Sequence, residues 1–349
     1  MKIFSLAAGL LVACETRCAE TLGLMPYENS CVPCDELFTR LHYLPDGSRI
    51  QNVEMQVRGE PKSGTSFMFK WACRALATAC QYLQSLFGHD SCRIEEADVL
   101  GIPDRLGKTT LIFEPRRGGI GGHCDCGRVQ RVTVSINTVG KHSLPVSPDC
   151  PWNHPHSVSR ENQGCISAGG NPVANYNGVR RCMRESTCNI NDERHQMVVL
   201  RDPRPVTVSS YYHQMIYYQV VDGTVDEYVM KMLPTISQWL AIRHILFEEM
   251  MAENSTIFWY EDAIGDPLAW HERWYESVGL RLPASFVQAA SHVSSGDGVS
   301  NYRMPHPGGA EATTERSFKD EISFDLQGQM DDILRVWLPP SFLAKVGVD

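Results

Sequence analysis

The chain has 349 residues, of which 43% are hydrophobic and 21% charged, and a formal net charge of −9. That length and apolar content supply a substantial core and fit one large α/β domain with a short N-terminal extension and an irregular insertion. The acidic balance argues against general nucleic-acid binding and gives no overall attraction to sulfated or uronic polymers, and no internal repeat or low-complexity tract is present.

Lys2 precedes an apolar run from Ile3 to Cys14 that is too short to span a bilayer and fits the core of a signal peptide. Residues 1–19 are therefore expected to be a signal peptide or short signal anchor, with cleavage near Cys14 or Ala19; Leu11-Val12-Ala13-Cys14 also fits a bacterial lipobox. No other run is long enough for a transmembrane helix. Residues 20–50 form a Cys-containing extension, and residues 51–349 form the main domain with an insertion at about 148–194.

A predicted strand from Val53 to Arg58 runs into Gly59-Glu60-Pro61-Lys62-Ser63-Gly64-Thr65-Ser66-Phe67 and then into a predicted helix. The first N–H groups of a helix lack intrahelical partners and favour an anion; Gly64 permits close approach, Lys62 adds a charge, and Ser63, Thr65 and Ser66 add hydroxyls. The loop lacks the Gly-Lys-Ser/Thr ending that holds magnesium in nucleotide triphosphatases, so it suits an anion that needs no metal. Further on, Arg131 to Ile136 alternates like a strand and leads to Val139-Gly140-Lys141-His142-Ser143-Leu144-Pro145. A second phosphate-sized segment follows a predicted strand from Met197 to Leu200: Arg201 offers a fork of donors and Ser209 a hydroxyl from the next helix. Arg201-Asp202 reads equally as a local ion pair. Residues 204–220, 227–252, 266–279 and 325–337 have helical periodicity.

Thirteen cysteines are far more than a cytosolic enzyme needs. Cys18, Cys31, Cys34, Cys92, Cys124, Cys126, Cys150, Cys165, Cys182 and Cys188 lie outside the phosphate segments, and the last four fall in the Pro-, Asn-, Gly- and Ser-rich insertion, where disulfides are the natural staple. Cys73 and Cys80 read as buried thiols, or one of them pairs elsewhere. Cys31-x-x-Cys34 with His123-Cys124-Asp125-Cys126 also has the ligand types of a zinc site, without the repeated Cys-x-x-Cys spacing. Asn254-Ser255-Thr256 is a glycan acceptor sequence, consistent with a lumenal route.

Pro61-Lys62-Ser63-Gly64-Thr65-Ser66-Phe67 resembles the 5′-phosphosulfate loop of the sulfotransferases. Arg201 to Ser209, followed by Tyr211-Tyr212-His213, resembles their 3′-phosphate segment, and Trp259-Tyr260-Glu261-Asp262 with Asp266-Pro267 resembles their Tyr-Glu-Asp region. The resemblance runs from about residue 55 to 290, with a large departure between 90 and 195, and leans towards the lumenal, Golgi-type carbohydrate enzymes. It implies a P-loop-like three-layer α/β fold with a central parallel sheet flanked by helices. It implies 3′-phosphoadenosine 5′-phosphosulfate as sulfuryl donor, a carbohydrate or other hydroxyl or amine acceptor, no metal, and a location in the Golgi lumen or outside the cell.

By the same resemblance Lys62 stabilises the leaving phosphate, Ser63, Gly64, Thr65 and Ser66 hold the 5′-phosphate, and Arg201 and Ser209 hold the 3′-phosphate. Phe67 stands where many cytosolic members stack a Trp on adenine, or else faces the core. Arg303 stands near where those members close a basic lid over the donor, or else is a solvated loop residue. For the base, Lys141-His142-Ser143-Leu144-Pro145 resembles the family's strand-end Lys-Thr-His-Leu-Pro with the His displaced by one residue. His142 is the choice, with His154, His156, Glu95, Glu96 and Glu114 as rivals. Arg116-Arg117, Arg128, Arg131, Arg180-Arg181 and Arg184 either are solvated or form a local groove for an acidic glycan. A non-catalytic secreted binding protein on the same scaffold, and a P-loop kinase, are the competing functions.

Overall fold

The computed structural model describes residues 31–98, 106–115, 124–146, 180, 184, 189–215, 223–288, 290–291 and 318–348. The leader, most of the insertion with Cys150, Cys165, Cys182 and Cys188, and His123, His154, His156, Arg116, Arg117, Arg181 and Arg303 lie outside them.

Seven strands, β1 (His42–Tyr43), β2 (Arg49–Gly59), β3 (Cys92–Asp98), β4 (Leu106–Phe113), β5 (Val129–Asn137), β6 (His195–Leu200) and β7 (Ser255–Trp259), form one mixed sheet in the order β3-β4-β5-β2-β6-β7, with β1 beside β2. The helices are α1 (Cys34–Leu37), α2 (Thr65–Phe87), α3 (Pro203–His213), α4 (Val225–Ile245), α5 (Tyr260–Gly265), α6 (Pro267–Ser277), α7 (Phe324–Trp337) and α8 (Pro340–Lys345). The α/β class is as expected. The sheet is parallel at β2, β6 and β7, whereas β3, β4 and β5 form an antiparallel meander. The parallel strands β2, β6 and β7 are far apart in sequence, as a parallel pair requires a long crossover, whereas antiparallel neighbours can be joined by a turn or a loop.

The chain divides into two compact units. The first holds the described residues within 1–54, 72–139 and 274–290. Its aromatic centre packs Phe113 against Phe38 and Phe87 at ring distances of 5.2 Å each, and the Tyr275 hydroxyl donates to the Ala75 carbonyl at 2.9 Å. Disulfides join Cys31 to Cys124 and Cys34 to Cys126, so these residues staple the extension to the segment before β5 in place of a zinc site. Cys80 is disulfide-bonded to Cys92, so of the two expected alternatives it is the one in which one of the pair bonds elsewhere; Cys73 keeps its thiol, which donates to Thr109 Oγ1 at 3.2 Å.

The second unit holds the described residues within 55–71, 140–273 and 291–349. The central strands are buried on both faces: the last five residues of β2 and of β6 are all buried, with Gln56 and Arg58 among the residues of β2. The register pairs Gly59 with Val199 and Leu200 with Trp259, so three strands end side by side. Asp202 caps α3 by accepting from Arg204 N–H, with Pro203 at the first helical position, and Thr224 and Glu227 form a capping box on α4. The core gathers Val198 and Leu200 of β6, Leu233, Leu240 and Phe247 along and after α4, and Leu334 and Phe342 from α7 and α8.

Peptide mapping under non-reducing conditions is expected to recover the links 31–124, 34–126 and 80–92. Since Cys80 and Cys92 are 12 residues apart, replacing both with Ser is expected to cost about 2–4 kcal/mol, read as a lower midpoint in a denaturant melt.

Candidate functional site

The loop after β2 turns tightly. Glu60 carbonyl accepts from the Ser63 N–H at 3.0 Å and from Ser63 Oγ at 2.7 Å, so the Ser63 hydroxyl proton is directed inward. Lys62 has φ 73° and is the one positive-φ residue other than glycine among the described residues. A lysine in that region costs on the order of 1 kcal/mol, and such strain gathers at ligand sites. Gly64 has φ 94°, and a Cβ there would overlap the Tyr260 ring. Met68 N–H donates to the Gly64 carbonyl at 2.9 Å, so the N–H groups of Thr65, Ser66 and Phe67 in the first turn of α2 have no partner four residues back.

Arg201 leaves β6 beside this loop. One of its Nη atoms donates to the Lys62 carbonyl at 3.1 Å, and the guanidinium lies over the Tyr260 ring at 4.2 Å. Its Nε is buried without a hydrogen-bond partner among the described residues. Arg201-Asp202 is therefore not a local ion pair. Asp202 pairs instead with Arg204, which also reaches Asp331 at 2.6 Å and is structural. Asp202 N–H donates to Glu261 Oε1 at 3.0 Å, and burial holds the Glu261 carboxyl above the usual range.

The third element is the turn after β5. Gly59 N–H donates to the Lys141 carbonyl and His142 Nδ1 donates to the Gly59 carbonyl, both at 2.9 Å. A carbonyl only accepts, so Nδ1 carries the proton and Nε2 has the lone pair. Burial, then the charges of Lys141, Arg243 and Lys62, push the His142 pKa down to about 4. The ring is neutral at ordinary pH. Lys141 Nζ donates to Ser66 Oγ at 2.8 Å. Burial, then Lys141, lower the Lys62 pKa to about 8.

Lys62, Ser63, Gly64, Thr65, Ser66, Arg201 and His142 thus meet at the shared edge where β2 and β6 end. Thr65 is buried and Ser209 half-buried on α3. Phe67 packs between Trp71 at 4.6 Å and Tyr260 at 5.4 Å, half-buried. Among the rivals to His142, Glu95 and Glu96 lie on β3 and Glu114 follows β4, all in the first unit; Arg93 pairs with Glu95 and Glu114. Arg131 pairs with Glu114, while Arg180 and Arg184 both pair with Glu249. Sequence reasoning passed over Lys141, Glu60, Arg243 and Tyr260 as site residues. Lys141 was legible as the lysine of the Lys-Thr-His-Leu-Pro-like segment, and Tyr260 as part of the third motif; Glu60 and Arg243 had no sequence signal.

Two outcomes follow from this geometry. Gly64→Ala is expected to lower stability by about 1–3 kcal/mol in a thermal melt, because the new Cβ must be accommodated at positive φ against Tyr260. Sulfate does not titrate near neutrality, so its affinity isolates the lysine: it is expected to weaken from pH 7 to 9 as Lys62 loses its proton near 8, and Lys62→Arg is expected to flatten that dependence.

No protein-family model and no curated protein matches the chain. Among solved structures the chain is similar to mouse sulfotransferase SULT7A1 complexed with PAP, at 11% identity and TM-score 0.44 over 88% of this chain and 97% of that one. It is also similar to retinol dehydratase with retinol and PAP, at 11% identity and TM-score 0.41 over 86% and 92% of the two chains. A third similarity is to retinol dehydratase with androsterone and inactive cofactor PAP, at 11% identity and TM-score 0.42 over 86% and 91%.

Proposed function

We propose that the protein is a sulfotransferase that moves a sulfuryl group from 3′-phosphoadenosine 5′-phosphosulfate to a hydroxyl or amine, with a carbohydrate as the favoured acceptor class. The observation that supports this most is the joining of two phosphate-type segments by the Arg201 to Lys62 hydrogen bond. Donors spaced along one strand edge suit a ligand with phosphates at two ends. The buried, unpartnered Nε of Arg201 and the open first turn of α2 fit such an anionic donor. The disulfides suit an oxidising, secretory compartment such as the Golgi lumen or the exterior.

In this reading the α2 N-terminus, Ser63, Gly64, Thr65 and Ser66 hold the 5′-phosphate, Arg201, Ser209 and Arg303 hold the 3′-phosphate, and Phe67 offers an aromatic face to adenine. The acceptor oxygen attacks sulfur, the bond from sulfur to the bridging oxygen breaks, and 3′-phosphoadenosine 5′-phosphate leaves. His142 Nε2 takes the acceptor proton, and Lys62 offsets the charge that develops on the bridging oxygen. An imidazole with a pKa of about 4 is a weak base. Bound phosphates set negative charge against Lys62 and Lys141, which raises the basicity of the ring when the donor is in place. The low basicity of His142 without donor is also the observation that favours the second reading, a non-catalytic binding protein on this scaffold.

Calorimetry with 3′-phosphoadenosine 5′-phosphate and no magnesium is the test. Tight binding is expected, with Arg201→Ala weakening it by about 30-fold or more, as removal of a charged hydrogen-bond partner does. His142→Ala is expected to keep that binding and to lower sulfuryl transfer by about 10²- to 10⁴-fold. Absence of binding by folded protein rejects the donor assignment, and binding without transfer to any acceptor class moves the non-catalytic reading to the front.

A further inference from the structure

Glu60 and Arg243 lie 183 residues apart in the sequence, and Arg243 Nε donates to Glu60 Oε2 at 3.0 Å. Their side chains are 3% and 2% exposed. Burying two charges costs more than their attraction returns unless further hydrogen bonds complete the arrangement. Here a second direction of the guanidinium is used, while its Nη1 is buried without a hydrogen-bond partner among the described residues. Arg243 Nη2 donates to the His142 carbonyl at 2.6 Å. Glu60 is the residue after Gly59, whose carbonyl accepts from His142 Nδ1 and whose N–H donates to the Lys141 carbonyl, both at 2.9 Å. The contacts close a ring running from Arg243 to Glu60, along the chain to Gly59, across to the His142 imidazole, and back through the His142 carbonyl to Arg243.

We infer that Arg243, set in place by Glu60, is a positioning residue for His142: it pins the His142 backbone to the end of β2 so that Nδ1 stays on the Gly59 carbonyl and the Nε2 edge is held in one direction. A ring free to turn about its two side-chain torsions would lose that edge. Holding both the carbonyl and Nδ1 removes the freedom before any ligand arrives, which is what preorganisation of a base requires. The two directions need a planar fork. Lysine, a single point of charge, can keep the ion pair or the carbonyl contact but not both with the same geometry. The groups facing the ring are the cations Lys141, Arg243 and Lys62 and the Gly59 carbonyl, so the charge of Arg243 also opposes protonation of the ring.

The inference rests on His142 being the base of the proposed reaction, but its test does not need turnover. Protein with isotopically labelled histidine is titrated by NMR, the His142 signal being assigned from its loss in His142→Gln. In the wild-type chain the ring is expected as the Nδ1–H tautomer with a titration midpoint near 4. In Arg243→Met the midpoint is expected to rise but to stay below the ordinary imidazole value, since burial and Lys141 still oppose protonation, and the single tautomer to give way to a mixture. Arg243→Lys is expected to keep the low midpoint while still mixing tautomers, which separates charge from fork. Should Arg243→Met fail to fold, Arg243→Lys and Glu60→Gln supply the tautomer reading on their own. An unchanged tautomer in folded Arg243→Lys and Glu60→Gln overturns the inference. Calorimetry with 3′-phosphoadenosine 5′-phosphate is run on the same samples: no binding by the wild-type chain counts against the sulfotransferase reading alone, whereas unchanged histidine spectra count against Arg243 alone.

Discussion

Parallel pairing of β2, β6 and β7 in a fixed register is the constraint on which the site depends. Gly59 sits opposite Val199, and Leu200 opposite Trp259, so the turns that follow all emerge along one edge. The open ends of parallel strands are where α/β sheets bind ligands, because the following helices begin there and present their N-termini. A slip of one residue in β6 would exchange its buried faces and carry Arg201 away from the Lys62 carbonyl. Burial of all but the first residue of β6 makes that slip costly.

The register creates an electrostatic problem of its own. Lys62, Lys141, Arg201 and the first turn of α2 bring positive charge together in a chain whose formal net charge is −9. The protein answers it in three ways. Burial and the neighbouring Lys141 lower the Lys62 pKa to about 8. Arg201 spreads its charge over the Tyr260 ring. His142, facing three cations, stays uncharged. What remains is a surplus of donors over acceptors at one spot, which is the feature the proposed anionic donor would meet.

Much of this was legible because it is local. The strand before Glu60, the glycine turn at Gly64 and the helix after Arg201 each follow from residues within a few positions, and patterns of that range read directly from a sequence. Helices expected over 227–252, 266–279 and 325–337 appear as α4 with its π-helical continuation Leu246–Met250, α6 and α7. What escaped reading is long-range or balanced. The antiparallel placement of β3 and β4 depends on which strands meet, not on their own patterns. Cys80 has helical neighbours that suit a thiol, and its partner Cys92 lies beyond the helix end, where sequence spacing alone does not select it. Nothing in the sequence around Glu60 distinguishes a buried carboxylate from a solvated one.

Glu60 also shows why the site's rigidity has to be argued from contacts that touch no ligand. An apolar residue of similar volume at each end of the Glu60–Arg243 pair would often be as stable or more so. Such a pair fills space equally well but makes no directional demand. The buried carboxylate fixes the guanidinium plane, and the guanidinium then has a donor left for the His142 carbonyl. Geometry passes from the interior of α4 to the edge of the sheet through hydrogen bonds alone. The neighbouring Lys62, held at positive φ, gains from the same arrangement: Glu60 accepts the Ser63 N–H and hydroxyl on its carbonyl, closing the turn that strains the lysine backbone. One residue thereby holds the loop after β2 through its backbone carbonyl and the turn that carries His142 through its carboxylate and Arg243, and segments far apart in sequence keep a single shape.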